Sequence, residues 1–84
     1  MLRIKKNVNL ESLKKYGFTE GYNGNYSVSS CGSWITIGAV SRDLLVEVAD
    51  WSIEEGIEFI SSLIYKLTIA GLLEEVGGKY EYNR

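Results

Sequence analysis

The sequence predicts a small α+β domain in which an antiparallel sheet is covered by one long amphipathic helix. Three observations predict this class. The chain has 84 residues, enough for one hydrophobic core. Its centre holds short segments rich in Tyr, Val and Ile that are separated by Gly and Asn, and a later segment carries apolar residues at helical spacing. We therefore expect residues 1–84 to form a single domain.

The N-terminal region predicts a short strand and then a short helix. Residues 2–5 alternate apolar and polar side chains, the period of a half-buried strand. Asn9 is expected to cap the helix, and Gly17 suits the left-handed residue that ends one. The apolar positions of this helix recur at helical spacing: Leu10, Leu13 and Tyr16.

The central region predicts an antiparallel meander of four strands. Residues 18–22 and 25–30 flank Asn23-Gly24, which supplies the positive φ angles of a tight hairpin turn. Residues 34–37 and 44–48 form two further strand patterns. Cys31-Gly32 separates the second strand from the third, so we interpret it as a turn.

The long helix is the clearest element of the sequence. Ser52 and Glu55 match a capping box at its start, and Gly71 is expected to end it. At about 100° per residue, its apolar residues fall within one arc of roughly 160°. These residues are expected to lie on the sheet: Ile53, Ile57, Phe59, Ile60, Leu63, Ile64, Leu67 and Ala70.

Residues 71–82, GLLEEVGGKYEY, can be the tail of that helix or a C-terminal hairpin. Gly77-Gly78 is a two-residue turn of the kind that hairpins prefer. We therefore expect residues 73–76 and 79–82 to pair. A helix followed by such a hairpin resembles the end of a winged-helix domain.

Cysteine usage and hydropathy indicate a cytoplasmic protein. A lone cysteine, Cys31, permits no internal disulfide, which fits a reducing compartment. No apolar run approaches the roughly 20 residues of a membrane span. The start, MLRIKKNVN, lacks the apolar region of a signal peptide.

Missing residue types argue against catalysis. The chain has no His, which excludes Ser–His and Cys–His nucleophile pairs and most catalytic zinc sites. Adjacent carboxylates such as Glu54 and Glu55 point about 100° apart on a helix and do not converge on one proton. We therefore expect no enzyme, no catalytic residue, no metal site and no cofactor.

A nucleic-acid-binding function is the alternative prediction. Its candidate residues form a basic group near the N-terminus: Arg3, Lys5, Lys6, Lys14 and Lys15. Residues 20–84, in contrast, carry a formal charge of −6, so the basic group can also simply face the acidic part of the chain. The long helix has Lys66 against several carboxylates, and such a face repels DNA. Nucleic acid is accordingly the less favoured partner.

Protein binding is the leading prediction, through two candidate surfaces. On the outer face of the long helix, Ser62, Tyr65 and Ile69 lie close to the carboxylates of Glu54 and Glu58, which resembles an interface core with a polar rim. Ile69 can instead be covered by the C-terminal hairpin.

The second candidate surface is acidic. Residues 43–58 contain six carboxylates and no basic residue, and Asp43 and Glu47 open this stretch. Such a surface suits a basic partner, for example a nucleic-acid-binding protein. A homodimer through an exposed strand edge is a further alternative.

The segment LRIKKNVNLESLKKYGF resembles the start of many small phage and prophage proteins of low-GC Gram-positive bacteria. The matching residues are Asn9, Leu10, Leu13, Lys15, Tyr16, Gly17 and Phe18. The segment LIYKLTIAGLLEEV is similar to the usual end of those proteins. The resemblance implies a genomic setting rather than an activity, since the family has no established function. Small acidic phage proteins often bind a host protein, as inhibitors of CRISPR effectors do, and this step is an analogy.

Overall fold

The computed structural model describes residues 1–76. It confirms the predicted α+β class, with a four-stranded and a two-stranded antiparallel sheet. The strands are β1 (Leu2–Ile4), β2 (Thr19–Glu20), β3 (Tyr26–Ser30), β4 (Ser33–Ile37), β5 (Leu44–Glu47) and β6 (Leu73–Glu75). The helical segments are 3-10 helices at Leu10–Tyr16 and Asp50–Ser52, and the α-helix α1 at Ile53–Ile69.

The four-stranded sheet has the order β2-β3-β4-β5, which confirms the predicted meander. Successive side chains along each strand point to opposite faces of the sheet. On β4, Ile35 and Ile37 are fully buried, whereas Trp34 between Ser33 and Ile35 is exposed. The inner face therefore forms the core, and the outer face remains in contact with solvent.

The two turns that flank β3 differ from each other. The predicted tight turn at Asn23-Gly24 is wrong, because only Gly24 has a positive φ there, at 88°. Residues 21–25 instead form a wider loop, in which Asn23 Oδ1 accepts a hydrogen bond from the Asn25 amide at 3.1 Å. This loop shortens β2 to Thr19–Glu20. At Cys31-Gly32 both φ angles are positive, 55° and 75°, as a tight primed turn requires.

The first helix has the predicted ends but a tighter, 3-10 geometry. Asn9 Oδ1 accepts a hydrogen bond from the Glu11 amide at 3.0 Å. Gly17 adopts the left-handed conformation, with φ 96°. The following residue, Phe18, is buried together with Leu13 of the helix. Both ends of this segment are thus set by local capping.

The long helix lies where it was predicted, and Gly71 beyond its end has φ 76°. Its buried positions are Gly56, Ile60, Leu63 and Leu67. The prediction that Ile53 and Ile57 lie in the core is wrong, because they are 48% and 51% exposed; Ala70, past the last helical residue, is exposed as well. Gly56 lies against Ser33 of the sheet. Ile57 therefore turns about 100° away from it, and Ile53 lies at the end of the helix.

The predicted capping box at the start of α1 is wrong in its hydrogen bonding. Ser52 does occupy the N-cap position, but its side chain makes no capping hydrogen bond to the helix. Its hydroxyl donates instead to the carbonyl oxygen of Cys31. The Ser52 hydroxyl, which the local sequence predicts to cap the helix, thus binds the β3–β4 turn instead.

The first and last described strands pair with each other. Leu2 lies opposite Glu75 and Ile4 opposite Leu73. The Lys5 amide donates to the Leu72 carbonyl at 2.9 Å and extends this pairing. The predicted turn at Gly77-Gly78 and the second hairpin strand, residues 79–82, lie outside the described residues.

Arg42 connects the N-terminal segment to the loop between β4 and β5. Its Nη1 atom donates to the carbonyl oxygens of Lys5 at 2.7 Å and Val8 at 2.6 Å. Its own carbonyl accepts a hydrogen bond from the Ile4 amide at 2.9 Å. The backbone φ of Arg42 is 66°, a region that non-glycine residues adopt at some cost. One side chain therefore holds together segments that are distant in sequence.

A single core joins these elements. It contains side chains from β1, the first helix, the four-stranded sheet and α1, so no element is independent of the others. The buried apolar residues are Ile4, Leu13, Phe18, Tyr26, Ile35, Ile37, Ile60, Leu63 and Leu67.

Candidate protein-binding surfaces

The outer face of α1 brings the predicted interface residues together. A shallow concavity there is lined, among the described residues, by Glu54, Ile57, Glu58, Ser61, Ser62 and Tyr65. Tyr65 is 65% exposed and Ile69, one turn further along the same face, is 66% exposed. Ile57, which was predicted to be in the core, adds a second exposed aliphatic side chain. We call the face formed by these seven residues the α1 face.

Carboxylates line one part of the α1 face. Within residues 1–76, neither Glu54 nor Glu58 forms an ion pair, and both are exposed. Both side chains are therefore available to a partner. An apolar centre beside exposed carboxylates has the composition of a protein interface.

Asp43 and Glu47 do not form a continuous acidic surface. Asp43 immediately precedes β5 and Glu47 is its last residue, so the two lie about 13 Å apart along the chain. Asp43 is half-buried and forms an isolated β-bridge with Arg3. Glu47 lies opposite Trp34 on the outer face of the sheet. Of the two predicted residues, only Glu47 lies on an open surface.

Two members of the basic N-terminal group form ion pairs. Arg3 Nε lies 2.7 Å from Glu74 Oε2, and both side chains are about one third exposed or less. Lys14 Nζ lies 3.0 Å from Glu11 Oε1. Lys6 and Lys15 are exposed, and Lys5 is half-buried. The charge available to a phosphate backbone is therefore smaller than the sequence suggests.

Two tryptophans that the sequence analysis did not select form a second open surface. Trp34 is 41% exposed and Trp51 is 77% exposed. Both line a cavity of about 270 Å³, together with Gly32, Glu47, Val48 and Ala49. We call it the tryptophan cavity. Alternation in β4 already indicates that Trp34 faces outward, because Ile35 must face the core.

A hydrogen-bonded cluster joins the first helix to β3. The Tyr26 hydroxyl lies 3.0 Å from Glu11 Oε2 and 3.4 Å from Glu20 Oε1. Burial raises the pKa of Tyr26 to about 12, and the hydrogen bond to Glu11 adds to this. The hydrogen bond from Lys14, followed by that from Tyr26, lowers the pKa of Glu11. At neutral pH the phenol is therefore a donor and the carboxylate an acceptor, an arrangement that stabilises the fold.

Two further kinds of site concern metal ions and membranes. Within residues 1–76, no group of three or more His, Cys, Asp or Glu side chains is placed to hold a metal ion. In the same part of the chain, no helix is both long and apolar enough to cross a bilayer.

The chain matches no described protein family, no curated protein and no solved structure. Its membership of the phage and prophage proteins that it resembles therefore stays a prediction.

Proposed function

We propose that this is a non-enzymatic accessory protein of a phage or mobile element that works in the host cytoplasm by binding another protein. A component of host defence is the target that the resemblance favours. The observation that carries the proposal is the α1 face, where three large apolar side chains lie exposed beside two carboxylates. These side chains are Ile57, Tyr65 and Ile69.

The spacing on the α1 face suits recognition by a groove. Ile57, Tyr65 and Ile69 stand eight and four residues apart, so they fall on one side of the helix. Helices that bind protein grooves use anchors at such intervals. Tyr is also among the residues that contribute most to binding energy when they enter a partner's pocket.

Charge favours a basic partner. Glu54 and Glu58 belong to a stretch, residues 43–58, without any basic residue. Complementary charge accelerates association and disfavours acidic partners. Proteins that bind nucleic acid carry basic surfaces, so a nucleic-acid-binding defence effector fits this requirement.

Quantitative capture from an extract of the bacterium that carries the gene tests this proposal. We expect the tagged protein to enrich one host protein, and we expect Glu54→Gln, Glu58→Gln and Tyr65→Ser in combination to abolish that enrichment. All three side chains are exposed, so the variant should keep the circular dichroism spectrum and melting temperature of the parent.

A control variant, Lys6→Gln with Lys15→Gln, changes exposed residues outside the α1 face and should capture the same protein. Undiminished capture by the α1-face variant would contradict the proposal.

Duplex binding through the basic N-terminal group is the competing function. The pairing of Arg3 with Glu74 and of Lys14 with Glu11 weakens it. If it is nevertheless the function, a DNA duplex will bind at low salt and dissociate steeply as salt rises. The absence of any retardation at low salt would eliminate it.

A further inference from the structure

We propose that the tryptophan cavity is a second binding site, which takes a single arginine side chain from a basic protein segment. This inference goes beyond the function proposed above and does not depend on the α1 face. It is based on the construction of the cavity, on its size and on its charge.

The cavity is built by two different elements. Trp34 projects from the outer face of β4, and Trp51 belongs to the short 3-10 helix before α1. They are the only two tryptophans of the chain, and large aromatic side chains normally bury most of their surface. Two of them lining one open cavity form an apolar surface that the rest of residues 1–76 leaves exposed.

The ring of Trp51 lies directly against the backbone at Gly32. A Cβ atom at Gly32 would lie 2.4 Å from Cζ2 of Trp51 and 2.9 Å from Cη2, so the ring rests directly on the turn backbone. The positive φ of Gly32, 75°, also disfavours any other residue there. The turn and the Trp51 ring are thus in direct contact, and a side chain at position 32 would displace the ring.

The size and walls of the cavity suit one side chain. Its volume of about 270 Å³ lies just below the range of pockets for drug-sized ligands, roughly 300–1,000 Å³. Val48 and Ala49 supply apolar contacts, and Glu47 supplies a carboxylate directly across the strand pair from Trp34. The aliphatic stem of arginine suits the apolar side chains of Val48 and Ala49, and its planar guanidinium suits the carboxylate of Glu47.

The electrostatic environment of the tryptophan cavity favours a positively charged ligand. The face of an indole ring attracts cations more strongly than that of any other side chain. Within residues 1–76, Glu47 forms no ion pair, so its charge is free for a ligand. The nearby N-terminus of α1 contributes about half a positive charge, but acidic residues around it outweigh that charge: Asp50, Glu54 and Glu55.

The alternative occupant of paired tryptophans is a proline-rich segment, which packs against aromatic side chains without needing charge. The carboxylate of Glu47 and the acidic surroundings favour arginine over proline.

Intrinsic fluorescence tests the proposal, because both tryptophans of the protein line the cavity. A capped Gly-Arg-Gly peptide is titrated into the full chain up to millimolar concentrations. We expect a saturable change in emission that weakens as salt rises. The same peptide with citrulline, which keeps the shape of arginine but not its charge, should give no saturable change.

Variants then locate the site. Glu47→Gln should weaken binding by about tenfold, the effect of losing one hydrogen bond to a charged group. The matched control Glu58→Gln removes the same charge from an exposed residue that does not line the cavity, and should leave the affinity within about twofold of the parent. Trp51→Ala should abolish binding while Trp34 remains as the reporter. Circular dichroism checks that each variant is folded.

Three outcomes would overturn the proposal: equal responses to arginine and citrulline, arginine binding that survives both Glu47→Gln and Trp51→Ala, or saturable binding of a triproline peptide but not of the arginine peptide. Undiminished host-protein capture by the α1-face variant would overturn the function proposed above and leave this site intact, so the two proposals fail separately.

Discussion

Gly56 of α1 lies directly against Ser33 of β4. A Cβ atom at Gly56 would be 2.2 Å from Ser33 Oγ and 3.2 Å from Ser33 Cβ. Ser33 is fully buried, and its hydroxyl accepts a hydrogen bond from the Ala49 amide at 3.2 Å. Two small residues thus allow the helix to approach the sheet closely. The contact also sets the rotation of α1 and therefore which residues form the α1 face.

Replacing Gly56 with alanine should destabilise the fold. Alanine favours a helix by about 1 kcal/mol over glycine, but overpacking a tight contact costs about 1–3 kcal/mol. Ser33 and Val48 both crowd the new methyl group, which places the overpacking cost in the upper part of that range, at about 2–3 kcal/mol. We therefore expect a net loss of about 1–2 kcal/mol, measured by urea unfolding.

Ser61→Ala is the control, since Ser61 is exposed on the same helix and gains only helix propensity. A Gly56→Ala protein as stable as its parent would show that the helix and sheet are not in close contact.

Removing the Arg42 side chain should loosen the attachment of the N-terminal segment. Arg42→Ala removes the guanidinium donor from the carbonyls of Lys5 and Val8, although the Lys5 carbonyl keeps the hydrogen bond from the Val8 amide. Hydrogen bonds to a charged group contribute about 1.5–3 kcal/mol each, and the half-exposed site reduces this, so we expect a total loss of about 2–3 kcal/mol. Chemical denaturation gives the stability. Hydrogen exchange at the Ile4 amide, which is bonded to the Arg42 carbonyl, should be faster in this variant.

Arg42→Gly separates the effect of losing the side chain from the effect of backbone strain. It loses the same hydrogen bonds but adopts the observed φ of 66° without strain, so it should be about 1 kcal/mol more stable than Arg42→Ala. An alanine variant equal to the wild type would argue against the role of the guanidinium.

Replacing Cys31 with asparagine should stabilise the β3–β4 turn. Cys31 is exposed and has φ 55°, which asparagine tolerates better than other side chains. We expect a gain of about 0.5–1 kcal/mol, seen as a raised midpoint of urea unfolding. Cys31→Ala keeps the unfavourable Cβ and should gain nothing. A loss of stability in Cys31→Asn would mean that the thiol itself contributes to the turn.

Tyr26 should make stability fall at alkaline pH. Its pKa is raised from 10.0 to about 12 in the folded protein, so the fold prefers the neutral phenol. Because the folded protein binds the phenol proton more tightly than the unfolded chain does, Tyr26 contributes to stability. This contribution is complete below pH 10, the pKa in the unfolded chain, and is lost as pH rises to about 12, the pKa in the folded protein. Ultraviolet titration of phenolate absorbance should show one late-ionising tyrosine in the wild type.

Tyr26→Phe should remove that late step. The alkaline decrease in stability should also become smaller in this variant. A late step that persists would assign it to another tyrosine.

The local elements could be predicted because their signals lie within a few residues of one another. Asn9 and Gly17 specify the ends of the first helix through backbone hydrogen bonds and positive φ. Gly71 ends α1 for the same reason. The alternation of β4 and the helical spacing of α1 each identify an inner face. The helical spacing also identifies the outer side of α1, so most residues of the α1 face could be predicted from the sequence.

The features that were missed depend on residues distant in sequence. The pairing of β1 with β6 joins Leu2 to Glu75, and no local pattern indicates which strand edge will be covered. Ser52 appeared to be a helix cap, yet the turn at Cys31 offers its hydroxyl a carbonyl that lies 21 residues earlier. Trp51 carries no periodic signal at all, so its position beside Trp34 became visible only in three dimensions.

By itself, the sequence determined the class of fold, the position of the meander and of α1, and the absence of histidine chemistry, because propensity, periodicity and composition are local properties. Only the tertiary structure decided the rotation of α1, through the contact of Gly56 with Ser33. It also decided which charges are paired, as in Arg3 with Glu74. Packing and pairing depend on distances between segments that the chain brings together only when it folds.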